Sequence, residues 1–331
     1  EPSNASRTLL FNIEKNSFDE ELLKILKVPG ISSLPEVKDS AMVMGRTRGV
    51  DFLPDGIPIA GILGDQQAAL AGQACFDVGD AKCTYGTGAF MLLNTGNKRL
   101  YSTHGLLTTV AWSLNNKLTY AFEGASFIAG AAVQFLRDQL NIIEAAPQTQ
   151  KLADGHIGAP EIYFVPALAG LGAPHWNPEA KGAIFGLTRG VSKGQIVRAT
   201  LEGIAFQVYE LFSSMKRDFP QDTAALRVDG GASSNDLLMQ IQADILSIDV
   251  DRPSNLETTA AGAAMFAGLG IGLYSDLNEL KNARKSDKIF RADKNEKALS
   301  LRKEQLKGWK RAVDAVQLFA GGIGEVSQKS N

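Results

Sequence analysis

Apolar and polar positions along this chain follow two periods, one near two residues and one near 3.6, and the change between them marks its elements. Leu226 and Val228 alternate with polar neighbours up to Asp229-Gly230-Gly231, after which Leu237, Leu238, Ile241 and Ile245 recur at helical spacing. The segment predicts a buried strand end, a two-glycine turn and a helix start. Glycines at such a corner let backbone approach another group without a Cβ in the way. The free N–H groups and partial positive charge of a helix N-terminus suit a phosphate. The same pattern also describes an ordinary strand-to-helix turn of any α/β domain.

The remaining pattern gives a series of elements. Residues 57–64 read as a strand ending in glycine, and residues 65–72 as a helix with Asp65 at or near its N-cap. Residues 80–96 predict two strands joined by Tyr85-Gly86-Thr87-Gly88, and residues 106–123 a hairpin turning at Asn115-Asn116. Helices are expected over 126–140, 194–217, 234–246 and 258–272, with a last, highly charged helix over roughly 293–318. Leu201, Ile204, Val208, Leu211 and Met215 form an apolar stripe on the second of these, which reads as core. Residues 8–28 look helical only towards their end, and 30–56 read as loop with short strands. Hairpins followed by helices on a sheet imply α+β or α/β layering, not a pure Rossmann alternation.

Bulk composition narrows the function classes. A chain of 331 residues is long enough for two domains, and its 44% apolar and 21% charged content is that of a soluble globular protein. The formal net charge is −2 and like charges form no run, which argues against a nucleic-acid surface. No apolar run reaches bilayer length, so no membrane insertion is expected. Cys75 and Cys83 suggest neither a disulfide framework nor a metal pattern, and His104, His156 and His175 are scattered. The setting this implies is cytoplasmic. The chain starts Glu1-Pro2-Ser3, without an initiator methionine or a signal peptide, as a processed form or a fragment would.

Common nucleotide signatures are missing from the sequence. There is no Walker-type loop, and the Gly-x-Gly pairs at Gly86/Gly88 and Gly170/Gly172 do not extend to Gly-x-Gly-x-x-Gly. What remains are three separate glycine turns, at 86–88, 170–172 and 230–231, of the kind that could converge on one phosphate ligand. Each candidate side chain has two readings. Asp65 is a general base for a substrate hydroxyl or a helix N-cap. Thr87 offers its hydroxyl to a phosphate or belongs to a tight β-turn. Asn235 bonds an adenine or ribose edge or begins a helix.

Five motifs in order then carry a resemblance. Gly64-Asp65-Gln66-Gln67-Ala68-Ala69-Leu70, Thr84-Tyr85-Gly86-Thr87-Gly88, Gly170-Leu171-Gly172-Ala173-Pro174, the segment from Gly182 to Gly190, and Val228-Asp229-Gly230-Gly231-Ala232 together resemble the FGGY family of carbohydrate kinases, in its glycerol-phosphorylating branch. The resemblance runs over nearly the whole chain. It implies an α/β, actin/hexokinase-like ATPase fold of RNase H-like domains, here the end of the first domain and all of the second. Residues 1–73 would close the first domain, 74–275 form the nucleotide-binding second, and 276–331 make a helical tail. By the same resemblance the chain is the C-terminal two-thirds of an ATP-dependent, Mg²⁺-requiring kinase of glycerol, a homo-oligomer at full length. Asp65 matches the general base, Gln66 a glycerol hydrogen-bonding residue, and Phe90 an aromatic packed on the glycerol carbons. Thr87 matches a phosphate-side contact to ATP or ADP, Gly130 and Gln134 line the nucleotide site, and Gly231 and Asn235 match adenine-side contacts.

Two departures limit the match. Some bacterial members end a glycine-rich loop with an arginine that binds fructose 1,6-bisphosphate, where this chain has Gly56. The usual aromatic-Trp-Asp after Ala-Pro is His175-Trp176-Asn177 here, in a turn expected to be structural. Rival readings are another sugar kinase of the family (for xylulose or gluconate), a non-catalytic nucleotide-binding module, and an actin- or chaperone-like ATPase.

Overall fold

The computed structural model describes residues 1–156 and 162–321. Its centre is a seven-stranded mixed sheet. In chain order the strands are β1 (Ala81–Tyr85), β2 (Ala89–Gly96), β3 (Leu107–Leu114), β4 (Lys117–Ser126), β5 (Ala225–Asp229), β6 (Asp249–Pro253) and β7 (Ser286–Phe290), arranged β7-β6-β5-β1-β2-β4-β3. β1 runs parallel to β5 and β5 to β6, while the other neighbours are antiparallel. The expected hairpin turns at Asn115 and Asn116, which both adopt positive φ (51° and 60°), as a tight hairpin loop demands.

Each face of the sheet has its own apolar layer, because side chains alternate along every strand. Ala81, Cys83, Tyr85, Met91, Leu93, Phe122 and Val228 enter the larger core. There they meet helices α2 (Gly130–Asp138), α4 (Lys193–Asp218), α5 (Asp236–Leu246) and α7 (Glu296–Ala320). Leu201, Ile204, Val208, Leu211 and Met215 of α4 are all buried in that core, as the stripe predicts. α4 starts with a capping box in which Ser192 and Gln195 satisfy each other's backbone N–H groups.

The opposite face carries a smaller core of Leu70, Ala71, Leu92, Trp112, Ala121 and Phe266 under helices α1 (Asp65–Gly72) and α6 (Thr258–Gly270). These two helices cross with backbone almost in contact. A Cβ on Gly72 would lie 1.9 Å from the Thr258 carbonyl, and one on Gly262 1.8 Å from the Ala68 carbonyl. α1 leads out of a short ribbon, Ala41–Arg46 with Pro58–Gly61, which places the start of α1 beside the sheet.

The Asp229-Gly230-Gly231 corner differs from the sequence pattern in one respect. A 3₁₀ turn, Gly231–Ser234, intervenes before α5, and Asn235 caps that helix by accepting from Leu238 N at 3.0 Å.

Candidate active site and nucleotide cavity

A cavity of about 460 Å³ opens where β1, β5 and the starts of α2 and α5 meet, and all five residues expected on the nucleotide line it: Thr87, Gly130, Gln134, Gly231 and Asn235. The volume is in the range of a small-molecule site. Val133, Leu201 and Leu238 give it an apolar floor. Arg137 is the one charged residue in its lining among the described residues, and its guanidinium is paired with Asp138 at 2.6 Å. Tyr85 stiffens one wall from behind: its hydroxyl donates to Gln242 Oε1 at 2.8 Å, and burial raises its pKa well above the usual phenol value.

Glycine is needed at this corner for two different reasons. Gly230 has φ +83°, and a Cβ there would stand 2.6 Å from the Tyr85 carbonyl. A Cβ on Gly231 would meet no atom within 4 Å, so its absence leaves space at the cavity wall rather than relieving a clash.

The N–H groups at the start of α2 are used internally: Ala129 N and Ala131 N donate to Thr87 O at 2.7 and 3.1 Å, and Gly130 N donates to Gly86 O at 2.9 Å. Thr87 thus belongs to a tight turn and lines the cavity with an exposed side chain. Asn235 is both a helix cap and a wall residue, with its Nδ2 donating to Thr149 Oγ1 at 2.9 Å. Gly170-Leu171-Gly172, expected as a third converging turn, lies outside the cavity lining. It closes on itself through Leu171 and Asn177 and packs on β4, where a Cβ on Gly172 would be 2.2 Å from the Ala125 carbonyl.

Asp65 is not the N-cap. Gly64 occupies that position, and Asp65 is the first helical residue, exposed, with Oδ1 accepting the backbone N–H of Gln66 at 2.7 Å. Its other oxygen is 3.4 Å from Gln66 Nε2. Beneath this pair lies Lys82 of β1, fully buried, whose Nζ donates to Gln66 Oε1 at 2.5 Å and Thr84 Oγ1 at 2.9 Å. Phe90 of β2 pairs with Thr84 and so shares its sheet face. The three residues expected on the acceptor substrate are therefore gathered around the Lys82–Thr84 side of β1, and the C-terminal end of the same strand leads into the Tyr85-Gly86-Thr87 wall of the cavity.

Several parts of this site were not anticipated. Pro147, Thr149 and Gln150 form a wall of the cavity at the start of α3 (Gln148–Ala153), in a segment whose sequence carries no distinct period. Asp229 is buried, and its Oδ2 accepts from Gln73 Nε2 at the end of α1 and Thr258 Oγ1 at the start of α6, both at 2.7 Å. A polar carboxylate directly before Gly230-Gly231 was the only available signal.

The model of the FGGY family of carbohydrate kinases, C-terminal domain, matches residues 81–271, and that of its N-terminal domain matches residues 1–72. The chain belongs to the FGGY family of carbohydrate kinases. It is similar to glycerol kinase of Bdellovibrio bacteriovorus, 54% identical over 95% of this chain and 63% of that protein. It is also similar to glycerol kinase of Enterococcus casseliflavus, at 51% identity over 96% of this chain and 62% of the relative. Among solved structures, Plasmodium falciparum glycerol kinase with ADP superposes with a TM-score of 0.88 at 38% identity, over 96% of this chain and 63% of that one. Xylulose kinase of Lactobacillus acidophilus shares the fold, with a TM-score of 0.83 at 21% identity. This FGGY chain thus has the actin/hexokinase-like ATPase fold and spans about 63% of the length of the curated relatives it matches.

Proposed function

We propose that this chain is the greater part of an ATP-dependent glycerol kinase, transferring the γ-phosphoryl group of ATP to a terminal hydroxyl of glycerol. The observation that carries the reading is the arrangement along β1. The exposed Asp65 carboxylate, Gln66 and Phe90 gather at one side of the strand, and the nucleotide cavity lies at its end. Glycerol kinases at about half identity over nearly the whole chain support glycerol over the ketose and gluconate substrates of relatives that share only the fold.

In this reading Asp65 accepts the proton of the attacking hydroxyl, which raises the nucleophilicity of its oxygen as transfer proceeds. Gln66 holds a neighbouring hydroxyl and Phe90 covers the carbon chain. The nucleotide occupies the cavity, its base on Val133, Leu201 and Leu238 and its phosphates directed past Thr87. Phosphoryl transfer has a loose transition state, so positioning and charge stabilisation supply most of the catalysis. Among the described residues no group of three or more His, Cys, Asp or Glu side chains is placed to hold a metal ion. Magnesium bound with the nucleotide would keep several of its waters and neutralise phosphate charge there.

The test is a phosphorylation assay of the full-length gene product over glycerol, xylulose and gluconate with ATP. Formation of glycerol 3-phosphate with the highest kcat/KM of the three is expected. A preference for xylulose or gluconate overturns the substrate assignment, and no transfer to any of them overturns the kinase reading.

A further inference from the structure

Lys82 is unusual for a lysine in being completely buried, in the middle strand of a sheet. It makes no ion pair among the described residues and hydrogen bonds to two neutral side chains, Gln66 and Thr84. Burial pushes its pKa below the ordinary lysine value, opposed chiefly by the charge of Asp229 and, further down, of Glu123. A buried cation is costly to retain without a purpose that needs a donor at that point. The candidate purpose is fixed by hydrogen-bond chemistry. An ammonium has three donors and no acceptor, so the amide atom it faces must be Oε1 of Gln66. Gln66 has one carbonyl oxygen, and Lys82 occupies it at 2.5 Å. Its Nε2 is then the end turned to the Asp65 carboxylate, 3.4 Å away.

We propose that Lys82 is a positioning residue: it locks the Gln66 amide so that Nε2, beside the Asp65 carboxylate, is presented as a hydrogen-bond donor to an oxygen of the acceptor polyol. The two cleft residues then have opposite and complementary polarity. Asp65 takes the proton of the reacting hydroxyl, and Gln66 donates to a neighbouring hydroxyl oxygen. A Gln66 free to flip would also present Oε1 to the substrate, next to a carboxylate that already supplies an acceptor. Lys82 removes that ambiguity from below, without touching the substrate. The proposal rests on the glycerol kinase reading given above.

Steady-state kinetics of the full-length gene product test it, using Lys82→Met, Gln66→Ala, the double variant and Gln66→Glu. In Lys82→Met the KM for glycerol should rise about tenfold, the scale of one weakened hydrogen bond. kcat should change by less than about threefold and the KM for ATP should stay put, the pattern of lost substrate binding. In the Gln66→Ala background, Lys82→Met should raise the glycerol KM no further. An unchanged glycerol KM in Lys82→Met, or effects that simply add in the double variant, overturns the proposal. Should Lys82→Met not fold, Gln66→Glu decides: it keeps oxygen towards Lys82 but has no donor, so its glycerol KM should rise about tenfold or more. A wild-type KM in Gln66→Glu would mean that no donor is used. Absence of glycerol turnover in the wild type would instead overturn the kinase reading, which separates the two failures.

Discussion

Gly230 lies so close to Tyr85 that a Cβ on it would stand 2.6 Å from the Tyr85 carbonyl oxygen and 2.8 Å from the carbonyl carbon. Two neighbouring parallel strands, β1 and β5, thereby end in turns that touch backbone to backbone, and the cavity lined by Thr87 and Gly231 begins at that contact. The adjacent glycine has the opposite surroundings, with open space where its side chain would be.

This contrast predicts two different outcomes for one substitution type. Gly230→Ala combines a positive φ with a backbone clash and should cost about 2–4 kcal/mol, seen as a clear fall in Tm. Gly231→Ala should leave Tm within about 1 °C of wild type, since a surface methyl that touches nothing changes stability little. It should nevertheless weaken ADP binding by about tenfold, measured by calorimetry, because the methyl takes up cavity space. Equal effects of the two substitutions on Tm would contradict the geometry.

Asp65→Asn should lower kcat by roughly 10²-fold or more while the Kd for ADP remains at the wild-type value, as removal of a general base implies. Gly64, not Asp65, caps α1, so the substitution should also leave Tm close to wild type. A large loss of stability with intact turnover in the folded fraction would return Asp65 to a structural role.

How far the site was readable in the sequence follows from where each signal resides. The α1 helix appears over Asp65–Gly72 as its pattern predicts, because a glycine-ended strand and an acidic first turn bracket it. The cavity residues Thr87, Gly130 and Gly231 lie far apart in the chain. Their convergence depends on β1 and β5 being neighbours, which periodicity alone does not encode. Lys82 carries no distinct signal in the sequence for a related reason. In Ala81-Lys82-Cys83-Thr84-Tyr85 the alternating polar residues read as a solvent face, but α1 covers that face. The loss of Gly170-Leu171-Gly172 from the site has the same origin: a Gly-x-Gly pair looks alike whether it faces a ligand or, as here, the Ala125 carbonyl.

The crossing of α1 and α6 predicts a severe effect from a residue outside the cavity lining. A Cβ at Gly262 would lie 1.8 Å from the Ala68 carbonyl, and both residues sit in helices whose backbone cannot step aside. Gly262→Ala should therefore cost about 3 kcal/mol or more, read as a drop in Tm or loss of soluble protein. Because α1 carries Asp65 and Gln66, the folded fraction should also lose kcat/KM for glycerol. An alanine accepted here without change would mean that the helices cross further apart.

Asp218 gives a pH dependence whose sign can be worked out. It ends α4 and fastens the 102–104 loop, accepting from Thr103 N at 3.1 Å and Thr103 Oγ1 at 2.9 Å, and hydrogen bonding to Ser102 Oγ and to His104 Nδ1 at 2.6 Å. Burial alone would raise its pKa, but these hydrogen bonds, led by Ser102 and His104, outweigh it and lower the carboxyl from 3.8 to about 2. A depressed folded pKa means that the unfolded chain binds the proton first as pH falls. The stabilisation is thus complete well above pH 4 and is lost as pH drops through about 2. Asp218→Asn should lower Tm at pH 7, with a cost of about 2 kcal/mol from weakened charged hydrogen bonds. The gap to wild type should narrow at pH 3, where the unfolded-state aspartate is already mostly protonated. A gap that stays constant between pH 7 and pH 3 would show that the Asp218 charge contributes nothing to holding the loop.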